Sequence, residues 1–183
     1  MNQWNLPNLL TLCRIPIAVA FLVYAIQGRW MIAFWLFVIG ALTDMVDGTL
    51  ARLLHKKTNT GAFLDPMADK LLMFFGFLTL TLNHLIPWWL FALVFARDLM
   101  ISLGVFYLRS RKIPLVYHPT ILSKATTFFQ FLTVSLALYA AAFGAVRGEG
   151  YGQWITGVLT AVTGVQYFTI GLKLLGDNSP PLP

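Results

Sequence analysis

Six long apolar stretches alternate with short polar breaks along almost the whole chain. A helix that crosses the roughly 30 Å hydrocarbon core of a bilayer needs about 20 mostly apolar residues, and each stretch meets that length. The breaks contain Gly, Asn, Pro and basic residues, which commonly end helices. The pattern predicts an all-α integral membrane protein with six transmembrane helices. Their expected ranges are 7–27, 30–54, 61–82, 87–108, 119–143 and 152–175.

Composition agrees with lipid as the solvent. Of the 183 residues 58% are apolar and only 11% are charged, whereas a soluble domain carries about a quarter charged residues. Six crossings would use nearly the whole length. We therefore expect residues 1–183 to form a single transmembrane domain, with any chemistry in or against the membrane.

The distribution of Lys and Arg predicts the orientation. Basic residues gather around the second and fourth loops, and the positive-inside rule then places these loops and both termini in the cytoplasm. The basic residues are Arg52, Lys56, Lys57, Arg109, Arg111 and Lys112. Tryptophans lie at the opposite helix ends, as in an interfacial aromatic belt. They are Trp30, Trp88, Trp89 and Trp154.

Acidic residues are few but concentrated inside the predicted helices. An ionised carboxylate in hydrocarbon costs at least ~3 kcal/mol, so each needs compensation. A structural ion-pair network would account for one or two of them, but the basic residues near the first four are limited to Arg52, Lys56, Lys57 and Lys70. The five acids within predicted spans are Asp44, Asp47, Asp65, Asp69 and Asp98.

Helical spacing gathers four of these acids into two stripes. At 100° per residue, Asp44, Asp47, the nearby small residues and Arg52 share a stripe of about 140° on the second helix. Asp65 and Asp69 follow Gly61 at i+4 and i+8 on the third helix. Two facing helices would present four carboxylates to a polar cavity open to the cytoplasm, where oxygen ligands suit one or two hard divalent cations. The small residues Gly48, Ala51 and Gly61 favour either close approach of a ligand or helix packing.

The order of these residues resembles a known signature. They read Asp44-x2-Asp47-Gly48-x2-Ala51-Arg52-x8-Gly61-x3-Asp65-x3-Asp69, which is similar at all eight positions to the motif of the CDP-alcohol phosphatidyltransferase family. The resemblance implies transfer of a phosphatidyl group from CDP-diacylglycerol to an alcohol with release of CMP. It also implies a homodimer in a bacterial inner membrane, or alternatively in a mitochondrial inner membrane, with membrane lipids and no nucleic acid as partners.

The resemblance further implies a role for each motif residue. Asp44, Asp47, Asp65 and Asp69 would hold one or two Mg²⁺ or Mn²⁺ ions at the CDP diphosphate. Asp69 would also be the general base that takes the proton of the acceptor hydroxyl. The positions Gly48, Ala51 and Gly61 would let the nucleotide lie close to the backbone. Arg52 would face the phosphates or pair with an aspartate.

Other segments bear on the acceptor. Residues 5–14 are similar to the start of both phosphatidylglycerophosphate synthases and CDP-diacylglycerol-dependent cardiolipin synthases. The segments 96–101 and 119–124 look more like the cardiolipin-synthase branch, because the other branch carries Arg-Glu-Ile and Leu-Arg-Glu-Trp there. Phosphatidylglycerol is therefore the favoured acceptor and glycerol 3-phosphate the alternative, and both carry a phosphate.

Several residues keep two interpretations. Lys124 could hold the acceptor phosphate or extend to the membrane interface; Arg109 and Arg111 could attract the acceptor or serve as positive-inside anchors. Arg97 and Asp98 could pair with adjacent helices or contact substrate, and as helix neighbours they are not expected to face each other. Arg14 could face the cavity or extend to the membrane interface, and the sequence favours neither.

Glycines recur every seven residues on the sixth helix, at 157, 164 and 171. This bare seam favours close helix packing, either within one chain or between two.

Two functional alternatives remain. An intramembrane prenyltransferase would leave the motif's small residues and Arg52 without a role, and an ion-coupled transporter with a carboxylate site would be expected to show an internal repeat or paired broken helices.

Overall fold

Six α-helices account for nearly all the described chain. The computed structural model describes residues 6–54, 61–110, 120–144 and 149–176, with side chains for 15–43, 70–108, 110, 120–144 and 150–174. Every predicted helix is present, with ends within three residues of those expected. The helices are α1 (Leu6–Ile26), α2 (Trp30–Leu54), α3 (Gly61–Leu82), α4 (Trp88–Ser110), α5 (Ile121–Phe143) and α6 (Glu149–Gly176).

Two helices end in the same hydrogen-bonded turn, in which a residue in the left-handed region follows the helix. After α1 this residue is Gly28, with φ 71°, and Arg29 N–H donates to the Tyr24 carbonyl at 2.9 Å. After α3 it is His84, with φ 60°, and Leu85 N–H donates to the Leu80 carbonyl at 2.9 Å. Both helices therefore stop where the sequence predicts a break.

The helices group into two compact units. The first comprises Met1–Ile86 and Val134–Arg147, and the second Pro87–Thr133 and Gly148–Pro183. The division falls within α5, whose N-terminal part belongs to the second unit. A single domain over the whole chain stays a prediction.

Apolar side chains and bare glycines hold the first unit together. Phe21 of α1 and Phe37 of α2 are fully buried, with ring centroids 5.8 Å apart. A Cβ at Gly40 of α2 would lie 2.8 Å from a methyl carbon of Leu72 of α3, and one at Gly76 would lie 2.9 Å from Val134. The backbones thus approach closely where a side chain is missing.

The second unit has α4 and α6 running parallel. Trp89 near the start of α4 stacks on Trp154 near the start of α6, with centroids 4.8 Å apart. One turn further along α6, a Cβ at Gly157 would meet the Trp89 ring at 2.6 Å. Two of the four tryptophans of the predicted belt, Trp89 and Trp154, therefore meet at one end of this unit.

A buried polar seam joins α5 to α6 within the second unit. Thr133 and Thr156 have their hydroxyl oxygens 2.7 Å apart, and Gln130 Nε2 donates to the Thr160 hydroxyl at 3.1 Å. The pairs run in opposite directions along the two helices, which are therefore antiparallel. All members are buried. The polar seam consists of Thr126, Gln130, Thr133, Thr156, Thr160 and Thr163.

Three helices are long and apolar enough to cross a membrane within the described residues. These spans are Trp88–Leu108, Ile121–Phe143 and Gly150–Leu174, and shorter apolar stretches occupy Ile15–Ile26, Trp30–Thr43 and Lys70–Leu82. Large apolar side chains are exposed along α4 and α6, among them Phe106 and Val165. Such surfaces suit contact with lipid.

Candidate active site on α2 and α3

The antiparallel packing of α2 and α3 fixes the heights of the motif residues along the two helix axes. Gly40 of α2 lies against Leu72 of α3, and both helices continue without interruption past this contact. Asp47 follows Gly40 by seven residues and Asp65 precedes Leu72 by seven, so each lies about 10 Å further along. In the same register Asp44 lies four residues past Gly40 and Asp69 three residues before Leu72, so their heights differ by about 1.5 Å.

Backbone placement thus brings the four acidic positions to neighbouring levels of two helices in contact. Their side chains, and those of Gly48, Ala51, Arg52 and Gly61, fall outside the described side chains. The convergence of the carboxylates, the general-base role of Asp69 and a cytoplasm-facing cavity therefore stay predictions.

The donor chemistry suits a hard divalent cation. Carboxylates provide anionic oxygen ligands of the kind that Mg²⁺ and Mn²⁺ prefer, and the register brings the backbone position of one acid from each helix to about the same height, twice. Among the residues with described side chains, no group of three His, Cys, Asp or Glu side chains could hold a metal ion. A metal site in the aspartate motif stays a prediction.

Arg97 and Asp98 correct one expectation. Neighbouring helix positions were not expected to pair, yet Arg97 Nη1 donates to Asp98 Oδ1 at 2.7 Å. The long arginine side chain bends back to its neighbour, which spacing on the helix surface does not describe. Arg97 also donates through Nη2 to the Ser123 hydroxyl of α5 at 2.9 Å. Of the two interpretations, structural pairing with an adjacent helix therefore holds for Arg97.

The sequence pattern of the CDP-alcohol phosphatidyltransferase family matches residues 4–166. This range includes all eight motif positions and most of the chain. The chain belongs to the CDP-alcohol phosphatidyltransferase family. Membership gives no support to the transporter hypothesis.

Named relatives in the family fall into the two branches expected from the sequence. The cardiolipin synthase (CMP-forming) of Rattus norvegicus is 32% identical over 191 residues, covering 94% of this chain and 63% of the relative. The Homo sapiens protein of the same name has the same identity and coverage. The CDP-diacylglycerol–glycerol-3-phosphate 3-phosphatidyltransferase of Aquifex aeolicus (strain VF5) is 34% identical over 165 residues, 87% of each chain. The chain spans about three fifths of the length of the two synthases.

The structure describes the basic residues that were predicted to meet the acceptor to different extents. Lys124 is exposed in the first turn of α5, which is compatible with either of its interpretations. Arg109 lies on α4 with its side chain outside the described set, Arg14 likewise on α1, and Arg111 lies outside the described residues. Their roles stay predictions.

The glycine seam of α6 serves packing inside the chain at two of its three positions. Gly157 lies against Trp89 and Leu90, and Gly164 lies against the Arg97 side chain, where a Cβ would be 3.8 Å from Cγ. A Cβ at Gly171 would have no described neighbour within 4 Å. The first two glycines thus belong to the α4–α6 contact.

Sequence reasoning missed the polar seam. A signal existed, because the α5 members at 126, 130 and 133 and the α6 members at 156, 160 and 163 share the spacing i, i+4, i+7. That spacing lines up side chains on one helix face. In an apolar span, such a line of hydroxyls and amides predicts an interhelical partner.

Proposed function

We propose that this protein is a membrane-spanning phosphatidyltransferase that transfers the phosphatidyl group of CDP-diacylglycerol to an alcohol and releases CMP. One observation supports the proposal most: the backbone positions of all eight motif residues lie on two antiparallel helices, with acidic positions of one helix at about the height of those of the other. Family membership supports the reaction class.

The transfer is a displacement at phosphorus. The acceptor hydroxyl oxygen attacks the β-phosphorus, to which the diacylglycerol is attached, and forms a new P–O bond. The P–O bond to CMP breaks, and CMP leaves with the electron pair. Asp69 takes the hydroxyl proton, since a carboxylate next to the reacting oxygen is a suitable base.

Positioning and charge neutralisation do most of the work in such a displacement. Asp44, Asp47, Asp65 and Asp69 would hold Mg²⁺ or Mn²⁺, which when bound neutralises diphosphate charge and supports the leaving oxygen. Small residues at Gly48, Ala51 and Gly61 would admit the nucleotide, and Arg52 would face its phosphates or pair with an aspartate.

We also propose that all six helices cross the membrane. The helices of the first unit, α1 to α3, contain 21, 25 and 22 residues, which at 1.5 Å per residue span about 30 Å or more. The basic loops would then face the cytoplasm, and the motif, which lies near the loop between α2 and α3, would open to the same side. A cytosolic nucleotide and a membrane lipid could meet there. A homodimer is part of the same proposal.

Phosphatidylglycerol is the favoured acceptor, giving cardiolipin. The segments 96–101 and 119–124 support this choice, as do the relatives named cardiolipin synthase (CMP-forming). An acceptor with a phosphate also suits the basic residues Lys124, Arg109 and Arg111, because lysine and arginine both bind phosphate oxygens.

Glycerol 3-phosphate is the second candidate acceptor. The relative named for that substrate in Aquifex aeolicus (strain VF5) is matched over 87% of its length, which is a fuller match than the synthases give. The two acceptors differ physically, because glycerol 3-phosphate arrives from water and phosphatidylglycerol arrives within the membrane.

CMP release tests the function directly. Purified protein in mixed micelles would receive labelled CDP-diacylglycerol with phosphatidylglycerol, glycerol 3-phosphate, glycerol or inositol, each with Mg²⁺, Mn²⁺ or a chelator. We expect CMP and a labelled lipid with one phosphate-bearing acceptor, and none with the Asp47→Asn variant. Absence of CMP with every acceptor would refute the proposal, and full activity with glycerol or inositol would refute the phosphate-bearing acceptor.

Cysteine labelling tests the topology. The chain has one native cysteine, Cys13, which would be replaced by serine. Single cysteines at Lys57→Cys and Asn83→Cys should then react with an impermeant reagent from opposite sides of a sealed vesicle. Labelling of both from one side would contradict six crossings.

A further inference from the structure

Arg97 lies in the middle of the apolar span Trp88–Leu108 with only 9% of its surface exposed. A buried charge in such a span is expensive and normally retained for a function. Asp98 balances the charge at 2.7 Å. The arginine stem lies against the bare backbone of Gly164, and its guanidinium carbon is 5.8 Å from the centroid of the Tyr167 ring.

The arginine connects α4 to the first turn of α5. Its Nη2 donates to the Ser123 hydroxyl at 2.9 Å. The Thr120 hydroxyl accepts the Ser123 N–H at 3.2 Å, which caps the helix start, and it faces Gln166 Oε1 of α6 at 3.5 Å. The first turn of α5 is therefore tied to α4 on one side and to α6 on the other.

A hydrogen bond of this kind would not by itself require a charged donor. A neutral glutamine could reach a serine hydroxyl without the cost of burying a guanidinium, and Arg97 keeps a buried Nε atom without a hydrogen-bond partner. What arginine adds is rigidity, because its planar group binds Asp98 and Ser123 at once in fixed directions. Lys124, the next residue on α5, is exposed.

We propose that Arg97 is a positioning residue for the acceptor: by holding Ser123 it fixes the rotation of the first turn of α5 and so the direction of Lys124. This inference rests on the proposed function, in which Lys124 meets the acceptor phosphate. In this proposal Arg97 acts on the acceptor through Ser123 and Lys124 and not by direct contact. Its loss therefore affects acceptor binding only through Lys124.

A double-mutant cycle tests this dependence. Ser123→Ala removes the link with a small change in volume and leaves the buried ion pair in place. We expect the acceptor KM to rise about three- to tenfold, a size typical of one lost hydrogen bond, with kcat and the KM for CDP-diacylglycerol within about twofold. In a Lys124→Ala background, Ser123→Ala should raise the acceptor KM no further.

Arg97→Lys extends the cycle. Lysine keeps the charge but lacks the planar fork, so it should raise the acceptor KM like Ser123→Ala and again have no further effect without Lys124. A further rise in the Lys124→Ala background, with either variant, would overturn the proposal by showing action independent of Lys124.

Thr133→Val supplies the matched structural control. It removes another interhelical hydrogen bond of α5, the 2.7 Å contact with Thr156, away from the first turn. We expect an unchanged acceptor KM. An equal rise would mean that general packing of α5 is responsible and would overturn the proposal.

The outcomes separate this inference from the proposed function. CMP release with an acceptor KM insensitive to Lys124→Ala would overturn the positioning role and leave the phosphatidyltransferase activity standing. No CMP release by the unaltered protein would overturn both.

Discussion

The two units use polar residues in different ways. In the second unit, the polar side chains inside α5 and α6 bind one another: the seam from Thr126 to Thr163 is buried and hydrogen-bonded across the helices. In the first unit, apolar contacts through Phe21, Phe37 and Leu72 join α1 to α3. The motif acids lie beyond those contacts, at one end of α2 and α3.

The difference separates polar groups that stabilise the fold from polar groups kept for a ligand. A hydroxyl that forms a hydrogen bond to another helix has its hydrogen-bonding partner within the protein. If the four motif carboxylates converge as predicted, they would repel one another, and the predicted cation would offset that repulsion. The comparison predicts that substitutions in the seam reduce stability and that substitutions in the motif reduce activity.

The largest expected effect is loss of turnover in Asp47→Asn. The amide is nearly isosteric but neutral, so metal binding and charge neutralisation are lost, and turnover should fall at least ~10²-fold. The same holds for Asp44, Asp65 and Asp69. CMP release from CDP-diacylglycerol measures the effect, with thermal unfolding in detergent as the check on the fold.

Glu149→Gln is the control for that series, because Glu149 begins α6 outside the motif. It should keep near-full turnover. Normal turnover of a motif variant would show that its aspartate does not bind the metal. A variant that failed to fold would show that the aspartate stabilises helix packing, as the seam residues do.

Sequence reasoning went furthest where the pattern is local. Apolar length predicted all six helices, and Gly28 and the Asn83–His84 break marked two helix ends, because these signals depend on neighbours along the chain. The Arg97–Ser123 link joins residues 26 positions apart and depends on which helices become neighbours. The predicted convergence of the motif acids likewise depends on a helix register that the contact of Gly40 with Leu72 reveals only once α2 and α3 are packed.

Small residues offer a second test of the comparison. Gly157→Ala should lower the free energy of unfolding by about 1–3 kcal/mol, because its Cβ would overlap the Trp89 ring at 2.6 Å. Gly104→Ala, at a position with nothing within 4 Å, should be neutral or stabilising. Chemical denaturation in micelles measures both.

Ala51→Leu is the counterpart of Gly157→Ala on α2. It should abolish binding of CDP-diacylglycerol by blocking the approach of the nucleotide while leaving the unfolding midpoint near that of the unaltered protein. Binding measured by equilibrium dialysis in micelles decides this. Normal binding by a folded variant would show that Ala51 serves packing only, as Gly157 does.

Thr133→Val tests the seam itself. Valine preserves the shape but leaves the Thr156 hydroxyl without this 2.7 Å partner. Interhelical hydrogen bonds in membrane proteins average about 0.6 kcal/mol, so we expect a loss of about 0.5–1.5 kcal/mol in unfolding free energy with turnover unchanged. A large fall in turnover at constant stability would show that the seam takes part in the reaction instead of only stabilising the fold.

The smallest effect is expected at His84, which ends α3 with φ 60°. A non-glycine residue in the left-handed region is strained by about 1 kcal/mol, whereas Gly28 holds the equivalent position after α1 without strain. His84→Gly should therefore raise the free energy of unfolding by up to about 1 kcal/mol, offset in part by the greater freedom of glycine when unfolded. Gly28→Ala should lower it by a similar amount. Turnover of His84→Gly should match the unaltered protein, because the imidazole has no place in the proposed reaction. A loss of turnover would show that this histidine has a chemical role. His84 would then be a second kind of polar group in the first unit, besides the motif acids, that serves a ligand.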